Sequence, residues 1–277
     1  TSDTRLVVLH ATVVDKKGNR ITDLPQSAFT VYENREEQAI KSFRREDIPV
    51  SLGLIVDNSG SMRDKRKRVE TAALALVEAS NPDDEVFIVN FNDEFFLDSP
   101  MTNDTKKLEE GLTRIDSRGG TAMRDARRPS SDYLLENGTR DKKVLLVVTD
   151  GNDNTSEIDL EKLVQKAQRS EVLIYSIGLF SDEGRRDKKR AERALEAIAE
   201  ATGGAAYFPE DLDTVHSLAL DVAKDIRNQY VITYSPTNPE MDGSYRRIEV
   251  KVRAKNSPKV RTRSGYYATT KGTPASD

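Results

Sequence analysis

The sequence predicts an α/β protein whose mostly parallel, doubly wound sheet is inserted into a small β-sandwich built from both ends of the chain. In the middle of the chain, apolar runs alternate with segments of helical periodicity, which is typical of a parallel sheet covered by helices on both faces. At both ends, only the two-residue alternation of strands occurs. Each end is too small to be stable alone, so we expect the two to pair.

Composition excludes several classes of protein. The chain has 277 residues, and its 43 basic and 47 acidic residues nearly balance, which argues against nucleic-acid binding. It has no cysteine, which excludes disulfides, thiolate metal sites and cysteine nucleophiles. No apolar run approaches the roughly 18 residues that a membrane span needs.

Residues 1–48 are predicted to form the amino-terminal part of the sandwich. Strand-like alternation occurs at 6–14, 29–32 and 39–43, and a turn signal follows the first of these runs. No helical periodicity appears before residue 62. The segment therefore supplies strands and no helix.

Residues 49–226 are predicted to form the α/β domain. We expect its strands at 50–57, 86–91, 95–101, 143–150 and 172–179. We expect its helices around 69–77, 108–115, 121–135, 160–169, 191–201 and 214–227. Pro129 should kink or interrupt the third of these helices, at a cost of about 3 kcal/mol.

Residues 227–270 are predicted to form the carboxyl-terminal part of the sandwich. Strand patterns return at 230–234, 246–253 and 259–263, with a loop at 236–243. Residues 271–277 resemble a frayed tail.

The segment 50–62 organises the rest of the chain. Its apolar run ends in Asp57, and Ser59 and Ser61 follow within four residues. A buried strand of this kind would deliver one carboxylate and two hydroxyls to its carboxyl end. These are oxygen donors, which hard cations such as Mg2+ prefer.

Two distant residues meet the same requirement. Thr121 follows two glycines in a loop that can approach closely, and Asp150 ends another apolar run. In open α/β sheets, ligands bind beyond the carboxyl ends of the strands, where strand order reverses. Two carboxylates and three hydroxyls would leave one of about six Mg2+ positions open. That open position suits the carboxylate of an Asp or Glu on a partner protein.

Here the chain resembles the von Willebrand factor type A family. The Asp-x-Ser-x-Ser motif, the Gly-Gly-Thr loop and the Thr-Asp-Gly strand end are similar to that family's metal-ion-dependent adhesion site. The resemblance implies Asp57, Ser59, Ser61, Thr121 and Asp150 as metal ligands. It implies a Rossmann-like sheet with one antiparallel edge strand over roughly residues 49–226. It also implies protein binding that depends on Mg2+ or Mn2+, with Ca2+ a weaker candidate.

The flanking motifs resemble a bacterial subgroup of that family known from Acidobacteria. They are Phe29-x-Val-Tyr-Glu, Ile48-Pro-Val-Ser-Leu-Gly-Leu-Ile-Val-Asp, Ala201-Thr-Gly-Gly, Gln229-Tyr and Arg263-x-Gly-Tyr-Tyr. Members of the subgroup are often exported. We therefore expect a periplasmic or extracellular protein, with a leader that is absent from this sequence.

Other interpretations of the same residues stay open. Asp-x-Ser-x-Ser also suits a helix cap or turn. Asn92 and Asp125 could hold loops around the ion, or they could be ordinary surface residues. The basic run 63–68 is expected to be a solvated face, and the alternative is that it steers acidic ligands to the metal.

The main hypothesis is a non-enzymatic, metal-dependent adhesion module. The alternative is a structural or assembly subunit of an envelope complex, in which the metal only rigidifies loops. A serine hydrolase would need His10 or His216 as its base, and the segment 58–62 lacks the Gly-x-Ser-x-Gly pattern. Oligomeric state and the identity of the ligand do not follow from the sequence.

Overall fold

The structure is a computed structural model, and it describes residues 6–45, 47–91, 95–113, 121–122, 130–150, 168–180 and 185–269. Within these residues the chain forms three sheets. One is a seven-stranded, mostly parallel sheet, and the other two are four-stranded.

The central sheet has the strand order β11-β10-β9-β5-β6-β7-β8. Its strands are β5 (Val50–Asp57), β6 (Glu85–Phe91), β7 (Phe95–Thr102), β8 (Thr121–Ala122), β9 (Lys142–Thr149), β10 (Leu173–Gly178) and β11 (Ala206–Tyr207). Strands β11, β10, β9, β5 and β6 are parallel, and β7 and β8 join antiparallel at one end. This is the predicted α/β fold class with an antiparallel edge.

Strand β5 is the middle strand of the seven, and all eight of its residues are buried. It pairs in parallel with β6 on one side and with β9 on the other. The chain runs from β5 to β6 and later returns to β9 on the opposite side. Strand order therefore reverses at β5, and the carboxyl ends of β5 and β9 border the crevice where ligands bind in such sheets.

Helices cover both faces of this sheet. They are α1 (Arg66–Glu78), α2 (Thr105–Thr113), α3 (Ser130–Asn137), α4 (Arg185–Thr202) and α5 (Val215–Arg227). Residues of α1, α2 and α5 share one apolar core with β5 and β9. Leu134 of α3 belongs to a second core with Ile55 and Phe87 on the opposite face. Among the described helices, none combines the length and the apolar character that a membrane span requires.

Both ends of the chain build the two smaller sheets. One has the order β14-β1-β12-β4 and the other β15-β13-β2-β3. Their strands are β1 (Val7–Val14), β2 (Phe29–Glu33), β3 (Glu36–Gln38), β4 (Ile40–Arg44), β12 (Tyr230–Tyr234), β13 (Tyr245–Val252), β14 (Lys259–Arg261) and β15 (Gly265–Tyr267). Strand β1 pairs with β12 and β14, and β2 pairs with β13, all antiparallel. The two sheets enclose a separate apolar core.

Buried polar contacts join the sandwich to the α/β unit. Asp225 of α5 is 1% exposed, and it accepts hydrogen bonds from the Tyr175 hydroxyl at 2.9 Å and the Arg261 guanidinium at 2.6 Å. Gln229 donates to the hydroxyl of Thr12 on β1 at 3.0 Å. These contacts link α5 and β10 directly to β14 and β1.

The structure differs from the predicted elements at Thr121 and in three short strands. Thr121 lies in the two-residue strand β8 rather than in a loop that opens a helix. The short strands β3, β11 and β15 were not predicted, since two or three residues carry too little periodicity to be recognised.

Some predictions fall on parts of the chain that the structure does not describe. Pro129 lies outside the described residues, as do most of the helix expected at 160–169 and the tail at 271–277. The proposed domain boundaries after residues 48 and 226 stay predictions.

Candidate metal centre

Asp57 ends strand β5 with its side chain inside the protein. The residue is 1% exposed. One carboxylate oxygen, Oδ1, accepts a hydrogen bond from the Ser59 backbone N–H at 2.9 Å. The other, Oδ2, accepts one from the Thr149 hydroxyl at 2.8 Å. The carboxylate is thus held in one orientation by its own loop and by the neighbouring strand β9.

The loop after Asp57 is fixed at several points. The Asn58 N–H donates to the Phe91 carbonyl at the end of β6, at 2.7 Å. The Arg66 guanidinium donates to the Asn58 carbonyl at 3.1 Å. Met62 is fully buried, and its N–H donates to the Ser59 carbonyl at 3.1 Å. These contacts hold the serine-bearing segment above the carboxyl end of the sheet.

The two predicted serines lie side by side. The hydroxyl oxygens of Ser59 and Ser61 are 3.0 Å apart. Ser59 is partly buried and Ser61 is exposed, so this edge of the site faces solvent.

Asp150 comes to the same end of the sheet from strand β9. The register pairs Val56 of β5 with Val148 of β9. The residues that follow in the two parallel strands therefore reach the same end of the sheet. Asp150 is completely buried. Its Oδ2 lies 3.3 Å from the ammonium of Lys65, which also donates to the Leu179 carbonyl at 2.7 Å.

The donor set fits a small divalent cation. In an octahedron with metal–oxygen distances of about 2.1 Å, adjacent ligand oxygens are about 3.0 Å apart. The separation of the Ser59 and Ser61 hydroxyls matches that edge. Buried Asp57 accepts from the Ser59 N–H, and buried Asp150 follows the neighbouring strand β9 at the same end of the sheet. Within the described residues, no cluster of three or more His, Asp or Glu side chains could hold a metal, so this site depends on the hydroxyls.

The backbone of Thr121 lies farther away. Strand β8 pairs Thr121 with Leu97, which pairs with Val89, which in turn pairs with Ile55 of β5. Neighbouring strands are about 4.8 Å apart, so about 14 Å separate the Thr121 and Ile55 backbones. The structure therefore does not bring this backbone beside Asp57. The Thr121 side chain lies outside the described part of the chain, so its membership of the site stays a prediction.

The other residues considered for the site are placed as follows. Asn92 and Asp125 lie outside the described residues. His10 lies on β1 of the sandwich, where burial and then the charges of Lys142 and Arg263 lower its pKa well below 6.5. His216 is exposed on α5.

Sequence reasoning missed two neighbours of the carboxylates, Thr149 and Lys65. Thr149 could have been noticed because it directly precedes Asp150, but the register of β5 against β9 is not readable from either strand. Lys65 was included in a basic run expected to be solvated. The structure corrects this for Lys65, which is 5% exposed, whereas Arg63 and Lys67 are indeed exposed.

Fold and site together define a class of protein: an α/β domain with a candidate divalent-metal site at the carboxyl end of its central strand. The chain belongs to the von Willebrand factor type A domain family, whose model matches residues 52–221. The predicted family is therefore confirmed. The narrower assignment to a bacterial subgroup stays a prediction.

Two solved structures that share this fold come from unrelated sources. A von Willebrand factor type A protein from Catenulispora acidiphila aligns over 97% of this chain and 75% of its own, with a TM-score of 0.54 and 14% identity. Proximal thread matrix protein 1 from the mussel byssus aligns over 65% of this chain and 48% of its own, with a TM-score of 0.50 and 15% identity. That structure is described with zinc in its metal-ion-dependent adhesion site (MIDAS) motif. At these identities the likeness shows the fold alone.

A curated relative matches a shorter stretch. Human integrin alpha-11 is 34% identical over 85 residues, which is 29% of this chain. The match covers 7% of the integrin's length, so the similarity is confined to a short part of that protein.

Proposed function

We propose that this protein is a metal-dependent protein-binding module, in which a divalent cation captures an Asp or Glu side chain of a partner. The cation would be held by Asp57, Ser59, Ser61 and Asp150, and by Thr121 if its hydroxyl joins them. The observation that carries the proposal is the pair of hydroxyls 3.0 Å apart in the loop after buried Asp57, with buried Asp150 at the end of the neighbouring strand.

The charge of this donor set determines what it can bind. Two carboxylates neutralise a divalent cation only when both give it their full charge, and the hydroxyls add none. Asp57 shares its charge with Ser59 and Thr149, and Asp150 shares its charge with Lys65. A cation held in this way would keep residual positive charge and attract an incoming carboxylate.

The comparisons support a metal in this kind of site. The mussel protein is described with zinc at its MIDAS motif. We favour Mg2+ or Mn2+ here because hydroxyls and carboxylates are hard oxygen ligands. Because the mussel protein holds zinc, Zn2+ should be tested alongside Mg2+ and Mn2+.

A direct test is calorimetric titration with Mg2+, Mn2+ and Zn2+. We expect binding by the wild-type protein and none by Asp57→Ala, with circular dichroism used to check that the variant is folded. Asp104→Ala removes an exposed carboxylate in the connection between β7 and α2 and should leave binding unchanged. Equal metal binding by the wild type and Asp57→Ala would reject the proposal.

The open position can be tested with acetate as the simplest carboxylate. Acetate bound to protein-held Mn2+ would show strong paramagnetic broadening of its methyl resonance. We expect broadening with the wild-type protein beyond that of free Mn2+, and its loss with Asp57→Ala. If metal binds but acetate does not reach it, the structural alternative is favoured, in which the metal only rigidifies loops.

We also propose that the module is not an enzyme and that it is exported. His10 lies on the sandwich and His216 is exposed on α5, so neither is an evident base for Ser59. Ester hydrolysis that survives metal removal and is lost in His216→Ala would contradict the first proposal. Detection of the protein in the cytoplasmic fraction alone would contradict the second.

A further inference from the structure

A lysine ammonium is buried against one of the two carboxylates of the site. Lys65 is 5% exposed, and its Nζ lies 3.3 Å from Asp150 Oδ2 and 2.7 Å from the Leu179 carbonyl oxygen. Lysine is almost never buried unless it is paired. Asp150 and Leu179 lie 85 and 114 residues away in the sequence, so the fold itself creates this pairing.

The position of Lys65 is not explained by helix α1. Lys65 directly precedes the helix, and the first turn carries Arg66, Lys67 and Arg68 with no acidic residue. Positive charge at a helix amino terminus opposes the helix dipole. A cation buried there needs compensation from elsewhere, which Asp150 supplies.

We propose that Lys65 is an internal counter-cation that competes with the divalent metal for Asp150 and thereby weakens metal binding. This inference rests on the proposed function, because it concerns regulation of the same site. On this proposal, Lys65 sets the metal concentration at which the module becomes able to bind its partner.

The physical reason is charge balance. A carboxylate that neutralises an ammonium has less charge left to neutralise a metal. A unit positive charge a few ångströms from a divalent cation also repels it, even at the effective dielectric constant of a protein surface. Because Lys65 and Asp150 are both buried, solvent screens this repulsion weakly.

A purely structural role for Lys65 predicts the opposite result. If the ammonium only held Asp150 in position for the metal, its removal would disorder the carboxylate. Metal affinity would then fall or stay the same, and metal would stabilise the variant no more than it stabilises the wild type. The direction of the change in affinity therefore distinguishes the two roles.

The test compares Lys65→Met with the matched control Lys67→Met. Both variants remove one charge from the same short segment, but Lys67 is exposed. Measured by calorimetry with Mn2+, we expect Lys65→Met to bind at least about tenfold more tightly than the wild type. Lys67→Met should bind like the wild type. Equal or weaker binding by folded Lys65→Met would overturn the proposal.

Two further variants cover a failure of Lys65→Met to fold. Lys65→Gln is neutral but keeps a hydrogen-bond donor, and it should also bind Mn2+ more tightly. Lys65→Arg keeps the charge and should return the affinity toward that of the wild type. In the neutral variants, saturating Mn2+ should also raise the melting temperature by more than in the wild type.

The outcomes separate this inference from the proposed function. If wild-type binding is abolished by Asp57→Ala but unchanged in the neutral Lys65 variants, only the inference about Lys65 fails. If neither the wild type nor any Lys65 variant binds a metal, both fail. If only the neutral variants bind measurably, both are supported.

Discussion

At the scale of single residues, the site depends on how each carboxylate is held. Asp57 is fixed by a backbone N–H at 2.9 Å and by the Thr149 hydroxyl at 2.8 Å. Replacing a group that orients a ligand side chain typically lowers metal affinity by about 10–100-fold. Thr149 should therefore matter for metal binding although it does not belong to the predicted ligand set.

We predict that Thr149→Val weakens metal binding by about tenfold. Valine has the same shape but cannot donate to Asp57, so the carboxylate loses one of its two fixed contacts. The loss of a buried hydrogen bond should also lower the free energy of unfolding by about 1 kcal/mol. Mn2+ calorimetry and urea denaturation measure the two effects.

Thr71→Val is the matched control for this substitution. Thr71 is exposed on α1, and its hydroxyl donates to the Lys67 carbonyl within the same helix. Its replacement should change neither the metal affinity nor, by more than about 0.5 kcal/mol, the stability. An unchanged affinity in Thr149→Val would show that this hydroxyl does not orient Asp57.

At the scale of elements, strand β5 has no room for a further side chain at its middle. Gly53 lies in its middle, where an added Cβ would be 2.4 Å from the Phe87 ring and 2.5 Å from Leu145. Both neighbours are buried, on the strands to either side of β5. The absence of a side chain at Gly53 is what allows the rings and methyl groups of this face to pack.

We predict that Gly53→Ala lowers the free energy of unfolding by about 1–3 kcal/mol, because an overpacked core must shift its side chains or backbone. Urea denaturation followed by circular dichroism measures the change. Gly60→Ala is the control, since a Cβ there would meet nothing within 4 Å. Equal stability of the Gly53 variant and the wild type would contradict the packing described for β5.

At the scale of the whole molecule, the junction between sandwich and α/β unit contains a buried lysine. Lys142 begins strand β9 at 2% exposure, and its ammonium donates to the Ile226 carbonyl near the end of α5. Burial lowers its pKa from 10.5 to about 7, while Asp225, Asp47 and Asp84 act in the opposite direction. Protonation of Lys142 therefore opposes folding.

We predict that the stability of the protein increases as pH rises from about 7 toward 10. In this window the unfolded chain keeps the Lys142 proton that the folded chain releases, so raising the pH favours the folded state, by up to about 1.4 kcal/mol per pH unit from this group. Below about pH 7 both states are protonated and this gain is absent. Urea denaturation at pH 7.5, 8.5 and 9.5 measures the slope.

The contribution of Lys142 can be isolated with two variants. Lys142→Met lacks the titrating group and should show a smaller increase of stability with pH. Lys255→Met removes an exposed lysine and should retain the wild-type slope. Identical slopes in the wild type and Lys142→Met would show that another group causes the pH dependence.

The shared sandwich leads to a further prediction about fragments. Residues 1–48 contain β1, β2, β3 and β4, but β1 pairs with β12 and β14, and β2 pairs with β13 as well as β3. Alone, this fragment should show the far-ultraviolet circular dichroism of an unfolded chain, because most of the strands that pair with it and pack against it are missing. Residues 49–226 should fold alone, with reduced stability because Asp225 loses Arg261. A β-sheet spectrum for the isolated 1–48 fragment would contradict this.

Much of the architecture was predictable because it is encoded locally. The apolar spacing of Val69, Ala72, Ala73, Leu76 and Val77 predicts α1, and all five are buried. The uninterrupted apolar run before Asp57 predicts a strand buried on both faces, as β5 is. Since parallel strands end at the same edge of a sheet, the position of two carboxylates at strand ends also predicted that Asp57 and Asp150 would lie near each other.

What the sequence by itself determined is therefore the order and type of the long elements, the α/β class and the carboxylates at the strand ends, because hydrophobic period and chain order are local properties. Only the tertiary structure decided that Lys65 is buried against Asp150, that Thr149 holds Asp57, and that the Thr121 backbone lies at the edge of the sheet. These contacts join residues far apart in sequence, and they depend on strand register and on which face of a helix meets the sheet. Strand register leaves no signal in the residues themselves, and a lysine in a basic run has the same sequence pattern whether it is solvated or buried.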